Sequence, residues 1–432
     1  MAQQPAAFRD RIGVLKPLRV RDFRLMWTGL AVSMIGDGIY IIALALLVLD
    51  DLDRSNSTLA LVQAAVLLPQ VTFVLGAGVL ADRLDRRRLM IAADAIRFVA
   101  IGTIGVLALL DVLTIPILIA LAILYGMGMA LFSPAFSSIV PTIVPEHLLV
   151  EANSLGLFMR PVAMFFIGPL LGGVLVDTFD GSAMAFLVDA STFLVSGAAV
   201  YLMRTRPVAR DPEHASSPLD DLRAGIRYVR TQRWLWMAMV AATVSLLCTW
   251  GPWDNLLPVV VTRDLGGSPR DLGIVFGAGG LASVIAAVIM AQRGMLPRRP
   301  VTVLYLSWAL GMFAIAGFGL VTQVWQAMLV AFVAEGSITV LVVVWVTLVQ
   351  RLVPPHLLGR VFALDWMISV GGAPLSFVIV GPVSDAIGHD ATLIWAGVLG
   401  GGVTLAFMFV RGARGPERDG SLRVPEPSVT AA

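Results

Sequence analysis

The sequence predicts an all-α membrane protein of twelve spanning helices arranged as two pseudo-symmetric six-helix bundles. Three observations carry this. The 432-residue chain is 58% hydrophobic and only 14% charged, with a mean hydropathy of +0.86. Its apolar residues gather into stretches long enough to cross a bilayer, which takes about 20 helical residues. Short motifs of the first half recur in the second.

The apolar stretches lie near 25–49, 58–81, 89–110, 115–140, 152–176, 183–203, 234–261, 271–291, 300–321, 324–350, 361–384 and 391–411. They are numbered spans 1 to 12. Each must be helical, because lipid offers no hydrogen-bond partner to an open backbone group. The first run is about 25 residues, too long for the apolar core of a secretory signal, so no cleavable leader is expected.

The connections divide by charge. If residues 1–24 are cytoplasmic, 26 of the 31 lysines and arginines fall on the cytoplasmic side. Only Arg54, Arg263 and Arg270 fall outside, while Arg97 and Arg160 lie within spans. This is a strong positive-inside asymmetry. The opposite loops carry Asp50, Asp51, Asp53, Asp111, Asp177 and Asp180. An even number of spans returns the C-terminus to the cytoplasm.

The chain divides into a cytoplasmic segment (1–24), a first bundle (25–203), a linker (204–233), a second bundle (234–411) and a tail (412–432). The linker ends in "LDDLRAGIRYVRTQRW", with Leu222, Ile226 and Val229 at helical spacing and arginines opposite. Such a helix is expected to lie on the inner leaflet. The Gly/Pro/Arg-rich tail is expected to be disordered. "PEHLL" (145–149) recurs as "PPHLL" (354–358), and "LADRLDRRR" has a decayed echo in "MAQRGMLPRR" (290–299). Two echoes in equivalent loops indicate duplication of a six-helix unit.

Between spans 2 and 3, "GVLADRLDRRR" packs six charges into eleven residues. It resembles the signature loop of the major facilitator superfamily, roughly G-x-L-a-D-r-x-G-r-r. Gly78, Leu80, Asp82, Arg83, Arg86 and Arg87 match it. Asp85 replaces a family glycine that serves a left-handed turn, which aspartate tolerates. The resemblance implies two halves that rock against each other. This loop would latch the cytoplasmic side, Asp82 meeting the N-terminal end of span 11, where the helix dipole attracts a negative charge.

In span 5, "GPLLGG" (Gly168, Pro169, Gly172, Gly173) resembles the motif of drug–proton antiporters, with Met164 where the fuller motif has another glycine. Small residues allow close backbone approach. "SMIGDGIY" (33–40), "ADAIRF" (93–98), "IVPEHLLVEANSL" (143–155) and "FLVDASTFLVSG" (186–197) are similar to one bacterial subgroup, covering nearly the whole chain. That subgroup holds siderophore exporters of the enterobactin-exporter type together with macrolide and multidrug efflux proteins. One departure is in span 4. Many proton antiporters carry an arginine there, but "ILYGMGMA" (123–130) has none, and Tyr125 stands near the expected place.

A charge at bilayer depth costs roughly 3 kcal/mol or more, so each one needs a reason. Asp37 and Glu335 fall near the midplane of spans 1 and 10, helices that line the cavity in the superfamily. Asp254, in span 7, falls in the outer third. All three are candidates for proton coupling, since a buried carboxylate can load and release a proton as access alternates. Asp37 has a competing reading, a permanent ion pair with Arg160. Asp94 and Arg97, three apart on span 3, are expected to pair and support the signature loop. Asp189, in span 6, reads as structural. Tyr40, Phe132, Phe136, Trp250, Trp253 and Trp345 are candidates for the substrate wall, and Pro252 is expected to break span 7 as a gate.

With Lys16 the sole lysine, in "GVLKPL", a phosphate-binding P-loop is excluded. One cysteine, Cys248, and four scattered histidines offer no metal set, and no nucleophile–base pair marks an enzyme. No cofactor, metal or nucleic acid is expected. The expected partners are a small-molecule substrate, protons and the bilayer, and the expected state is a monomer in a bacterial plasma membrane. The reading is a proton-coupled exporter of an apolar or amphiphilic compound. The alternatives are an uncoupled siderophore or metabolite exporter, an uptake carrier, and a non-transporting receptor.

Overall fold

The computed structural model describes residues 13–145, 148–204, 218–293, 296–354 and 357–418. Among them are twelve helices long and apolar enough to cross a membrane. Span 1 is Arg21–Asp51, span 2 Asn56–Arg83, span 3 Arg86–Leu109, span 4 Ile115–Ile143 and span 6 Ala183–Tyr201. Span 5 is composite: Leu149–Arg160, a wide π-helical turn Pro161–Ile167, then Gly168–Phe179. The second half holds span 7 Arg233–Asp264, span 8 Pro269–Arg293, span 9 Pro300–Phe318, span 10 Val324–Leu352, span 11 Leu358–Ile387 and span 12 His389–Phe409.

The helix ends follow from local chemistry. Pro116 and Pro300 stand in the first turns of spans 4 and 9, where a missing N–H costs nothing. Asp85 caps span 3, its carboxylate accepting from the Arg88 N–H at 2.9 Å. Its φ of −63° and ψ of 117° are extended backbone, so the expected left-handed turn is not there. A cap residue needs that extended conformation to aim its side chain at the first turn. The left-handed positions lie at the acidic end instead. Asp53, Asp111 and Asp180 have φ of 46°, 55° and 49°, so part of the acidity of those loops is turn chemistry.

The duplication appears in backbone detail. Spans 1 and 7 both finish in a five-residue π-helical turn, Leu47–Asp51 and Val260–Asp264. Each is closed by the same two bonds, Leu52 N–H to Leu47 O and Arg54 N–H to Val48 O, against Leu265 N–H to Val260 O and Gly267 N–H to Val261 O. The "PEHLL" and "PPHLL" loops share a turn, Leu148 N–H to Pro145 O and Leu357 N–H to Pro354 O, both 2.9 Å.

In the first half, span 1 packs on spans 5 and 6, span 3 on 4 and 6, and span 2 on 4; the second half repeats this with spans 7 to 12. Between the halves, span 2 packs on span 11 and span 5 on span 8, a symmetric pair of seams.

Two expectations change. The linker helix, Pro218–Thr231, packs one side against span 11 rather than against lipid alone. Gly225 lies against Leu364 and Arg360, Val229 is buried, and Tyr228 Oη donates to Leu352 O at 3.2 Å. Residues 412–418, expected to be disordered, turn back into the fold. The Glu417 carboxylate accepts from Thr302 N–H at 2.7 Å and Thr302 Oγ1 at 2.8 Å. A carboxylate there satisfies orphan donors of span 9 and complements its dipole.

Candidate functional site

The first half encloses a polar cluster in its apolar interior. Asp37, on span 1, is buried and accepts from the Tyr125 hydroxyl of span 4 at 2.7 Å. Tyr125 thus offers Asp37 a neutral donor. Tyr40 lies against Tyr125 with ring centroids 4.8 Å apart and meets Phe186 edge-on at 6.0 Å. Its hydroxyl is buried and has no partner among the described residues. Tyr40 is therefore packed inside the first half.

Asp94 and Arg97 are joined directly, both buried. Ser196 Oγ of span 6 donates to Asp94 at 2.8 Å. The Arg97 guanidinium sits 4.5 Å from the ring centroids of both Phe132 and Phe193, a desolvated cation–π arrangement. The pair is thus held between spans 3, 4 and 6, within electrostatic reach of Asp37, and not at the signature loop. Phe132 is buried in the same packing, with Phe136 stacked on it at 6.1 Å. Asp189, read from sequence as structural, is fully buried beside the Gly36 backbone, and its Oδ2 has no partner among the described residues. It lies within electrostatic reach of Asp37.

Where the halves meet, Arg160 ends the first segment of span 5 and is solvent-accessible. Its guanidinium stands 5.6 Å from the Phe165 ring centroid. Asp37 of span 1 and Glu335 of span 10, from opposite halves, lie within electrostatic range of it, and among the described residues neither forms a direct ion pair with it. Glu335 is half-buried, its stem fitted beside Gly279 of span 8.

Asp254 accepts from the Trp250 indole at 2.9 Å, and its carbonyl accepts from Gln63 Nε2 of span 2 at 3.2 Å. Pro252 does not break span 7, whose helix runs on from Arg233 to Val259. Gly251 N–H is taken up by Ser376 Oγ of span 11 at 2.8 Å, so a neighbouring helix satisfies backbone next to the proline. Trp253 packs on Phe318 at 5.3 Å within the second half. Trp345 donates to Asp365 at 2.9 Å and meets Trp234 at 6.0 Å. Asp365 is a carboxylate in span 11 that the sequence reading missed, although a lone acid in "VFALDWMISV" is itself a signal.

The span 5 motif forms the crossing of the two halves. Gly168, Pro169, Gly172 and Gly173 are all buried. A Cβ on Gly168 would stand 2.6 Å from Gly38 Cα of span 1, and one on Gly173 would stand 2.6 Å from Pro269 O of span 8. One helix thus presses on its own half with one edge and on the other half with the next.

Of the signature loop, Arg87 donates from Nε to Val200 O at 3.0 Å and from Nη2 to Tyr201 O. It caps the carbonyl end of span 6, where a cation is favoured, so this contact stays within the first half. Arg86 is half-buried. Gly78, Asp82 and Arg83 lie outside the residues whose side chains are described, as do His147 and His356.

At the end holding the acidic loops, hydrogen bonds join the halves. His389 Nε2 meets Asn56 Nδ2 at 2.8 Å, and its Nδ1 meets Asp264 at 3.1 Å. Ser57 Oγ donates to Asp385 at 2.8 Å, Asn255 Nδ2 donates to Asn56 O at 3.1 Å, and Arg263 reaches Leu49 O. Sequence reasoning set the histidines aside for want of spacing. The partners of His389 lie in spans 2 and 7, so no local pattern marks them.

Comparison with known proteins agrees with this architecture. A family model described as transmembrane secretion effector matches residues 12–432. Macrolide efflux protein A of Streptococcus pyogenes is 22% identical over 383 residues, covering 87% of this chain and 93% of that protein. Multidrug efflux pump Tap of Mycobacterium bovis is 27% identical over 379 residues, covering 83% and 86%. Among solved structures, a bacterial homolog of the human lysosomal transporter Spinster, inward-facing and occupied, superposes with a TM-score of 0.71 at 13% identity, covering 94% of this chain and 97% of that one. The nucleoside transporter NupG gives 0.67 at 11%, covering 90% and 98%. Twelve spans in two equivalent halves, a crossing at span 5 and a family match over nearly the whole length lead to one conclusion: the chain belongs to the transmembrane secretion effector family of the major facilitator superfamily and is a membrane transporter, not an enzyme.

Proposed function

We propose that the protein is a secondary active exporter of an apolar or amphiphilic small molecule (a drug, antibiotic or siderophore-like metabolite), carried across a bacterial plasma membrane by alternating access in exchange for protons. The observation that carries this is Asp37 itself, a carboxylate buried in span 1 whose hydrogen-bond donor is the neutral Tyr125 hydroxyl at 2.7 Å. A carboxylate so placed becomes neutral only with a proton. It can therefore pass through an occluded state uncharged and give up its proton when opened to water, avoiding the cost of a bare charge at bilayer depth. Asp37 is the exchanging group in this reading, with Tyr125 fixing its geometry. Glu335 and Asp254 are next in line.

Export, rather than uptake, is supported by the efflux proteins among the relatives and by the small-residue motif of span 5. The arginine asymmetry supports both termini facing the cytoplasm. The single lysine leaves no P-loop, which supports a carrier driven by a gradient over one driven by ATP.

The test begins with a growth-inhibition panel to find a substrate. It then follows substrate-driven proton movement in inside-out vesicles, with a C-terminal tag to report orientation. Protease should remove the tag only in inside-out vesicles. Asp37→Asn should cut proton exchange by at least about tenfold, which corresponds to roughly 1.4 kcal/mol, while Asp37→Glu keeps part of it. Normal exchange in Asp37→Asn moves the carrier elsewhere. Misfolding rescued by joint neutralisation of Arg160 makes Asp37 half of a fixed ion pair.

A further inference from the structure

Beside the linker helix lies a cavity of about 320 Å³, lined by Ile226, Val229, Arg230, Trp236, Leu364 and Ile368. It sits at the arginine-rich end, between the linker helix and spans 7 and 11. Its walls are apolar except at Arg230. Trp236 is 37% exposed, as an indole at a membrane boundary is. Its volume is at the lower end of the range of small-molecule sites, about 300–1,000 Å³.

The linker helix is pinned on one side of this cavity. The Tyr228 hydroxyl bonds to Leu352 O, and Gly225 lets the backbone approach Leu364. The other side of the helix carries Arg223, Arg227 and Arg230, all exposed. Arg233 is exposed at the start of span 7. A slot that is apolar within and basic at its rim, at the depth where headgroups meet acyl chains, is complementary to an amphiphile with an anionic head.

We propose that this groove binds an anionic phospholipid of the leaflet at the arginine-rich end, one acyl chain lying against Ile226, Val229, Leu364 and Ile368 and the headgroup phosphate on Arg230. The lipid thereby joins the linker helix to spans 7 and 11. The inference needs only the membrane-spanning fold and stands apart from the efflux reading. A polybasic segment near an anionic leaflet gains about 1 kcal/mol per arginine, so loss of Arg230 should weaken binding about fivefold.

The test uses the full chain, delipidated in a neutral detergent, with thermal stability and native mass spectrometry as readouts. Phosphatidylglycerol should raise the melting temperature and add one tightly held lipid. Phosphatidylcholine should do so weakly, and inorganic phosphate not at all. Arg230→Gln should need about five times more phosphatidylglycerol for the same shift, Arg230→Lys should keep most of it, and Ile368→Trp, which fills the slot, should abolish it. Arg230 is exposed, so its variants keep the fold, and their melting temperature without lipid verifies this. The proposal is overturned if Arg230→Gln and Ile368→Trp respond like the parent protein, or if inorganic phosphate alone reproduces the shift.

Discussion

Asp37 is held by one hydroxyl among the described residues. Tyr125 Oη is its hydrogen-bond donor at 2.7 Å, and both arginines within reach, Arg97 and Arg160, act on it through space. This makes Tyr125→Phe informative. A hydrogen bond to a neutral acid contributes about 0.5–1.5 kcal/mol net, and one to a charged group about 1.5–3 kcal/mol. If Asp37 carries its proton in the closed protein, Tyr125→Phe should lower stability in chemical or thermal unfolding by about 0.5–1.5 kcal/mol and slow proton exchange without abolishing it. A loss near about 3 kcal/mol would mark an ionised acceptor and argue against a proton loaded there. At this scale the sequence yielded Asp37, Glu335 and Asp254, because a carboxylate in an apolar run stands out by its cost alone. It did not yield the bond between Asp37 and Tyr125, whose residues are 88 positions apart.

Span 5 shows what an element adds to its residues. Pro161 opens a wide π-helical turn, and the glycine motif follows it directly. That turn brings backbone, not side chains, to the seam: Phe165 O lies where a Cβ on Gly280 of span 8 would come within 2.1 Å. Gly280→Ala should therefore force the halves apart, at the cost of about 1–3 kcal/mol typical of overpacking. The variant should still insert, melt at a lower temperature and transport poorly, whereas a change on an exposed position of the same helix, such as Ile285→Ala, should be mild. Parent-like melting and transport in Gly280→Ala would show that the seam is looser than described. The motif itself was legible as a run of small residues. Its division between span 1 and span 8 was not, because that depends on how the π-helical turn rotates the second segment.

Across the whole molecule, His389 is the joint of the acidic end. It stands at the start of span 12, one residue after Gly388, whose φ of 87° lets spans 11 and 12 meet through a single-residue turn. From there it touches Asn56 of the first half and Asp264 of its own. Removing the ring in His389→Ala should weaken closure by about 1 kcal/mol, shifting the population open at the acidic end about fivefold. Spin-label distances between positions 54 and 270, in a Cys248→Ala background, should show the longer distance gaining weight; an unchanged distribution would show that closure rests on the Ser57–Asp385 and Arg263–Leu49 contacts instead. The amino-acid sequence by itself determined the number and length of the spans, the unequal distribution of arginine and the duplication of the halves. These follow from transfer free energies and patterns that each segment carries alone. Only the tertiary structure decided which face of each span turns inward. It put Tyr40 and Phe132 into packing, bonded Asp37 to Tyr125 and closed the acidic end through His389. The reason is that lipid tails are as apolar as a protein interior, so a spanning helix need not mark its buried side by polarity, and its neighbours are chosen by shape and by a few polar contacts.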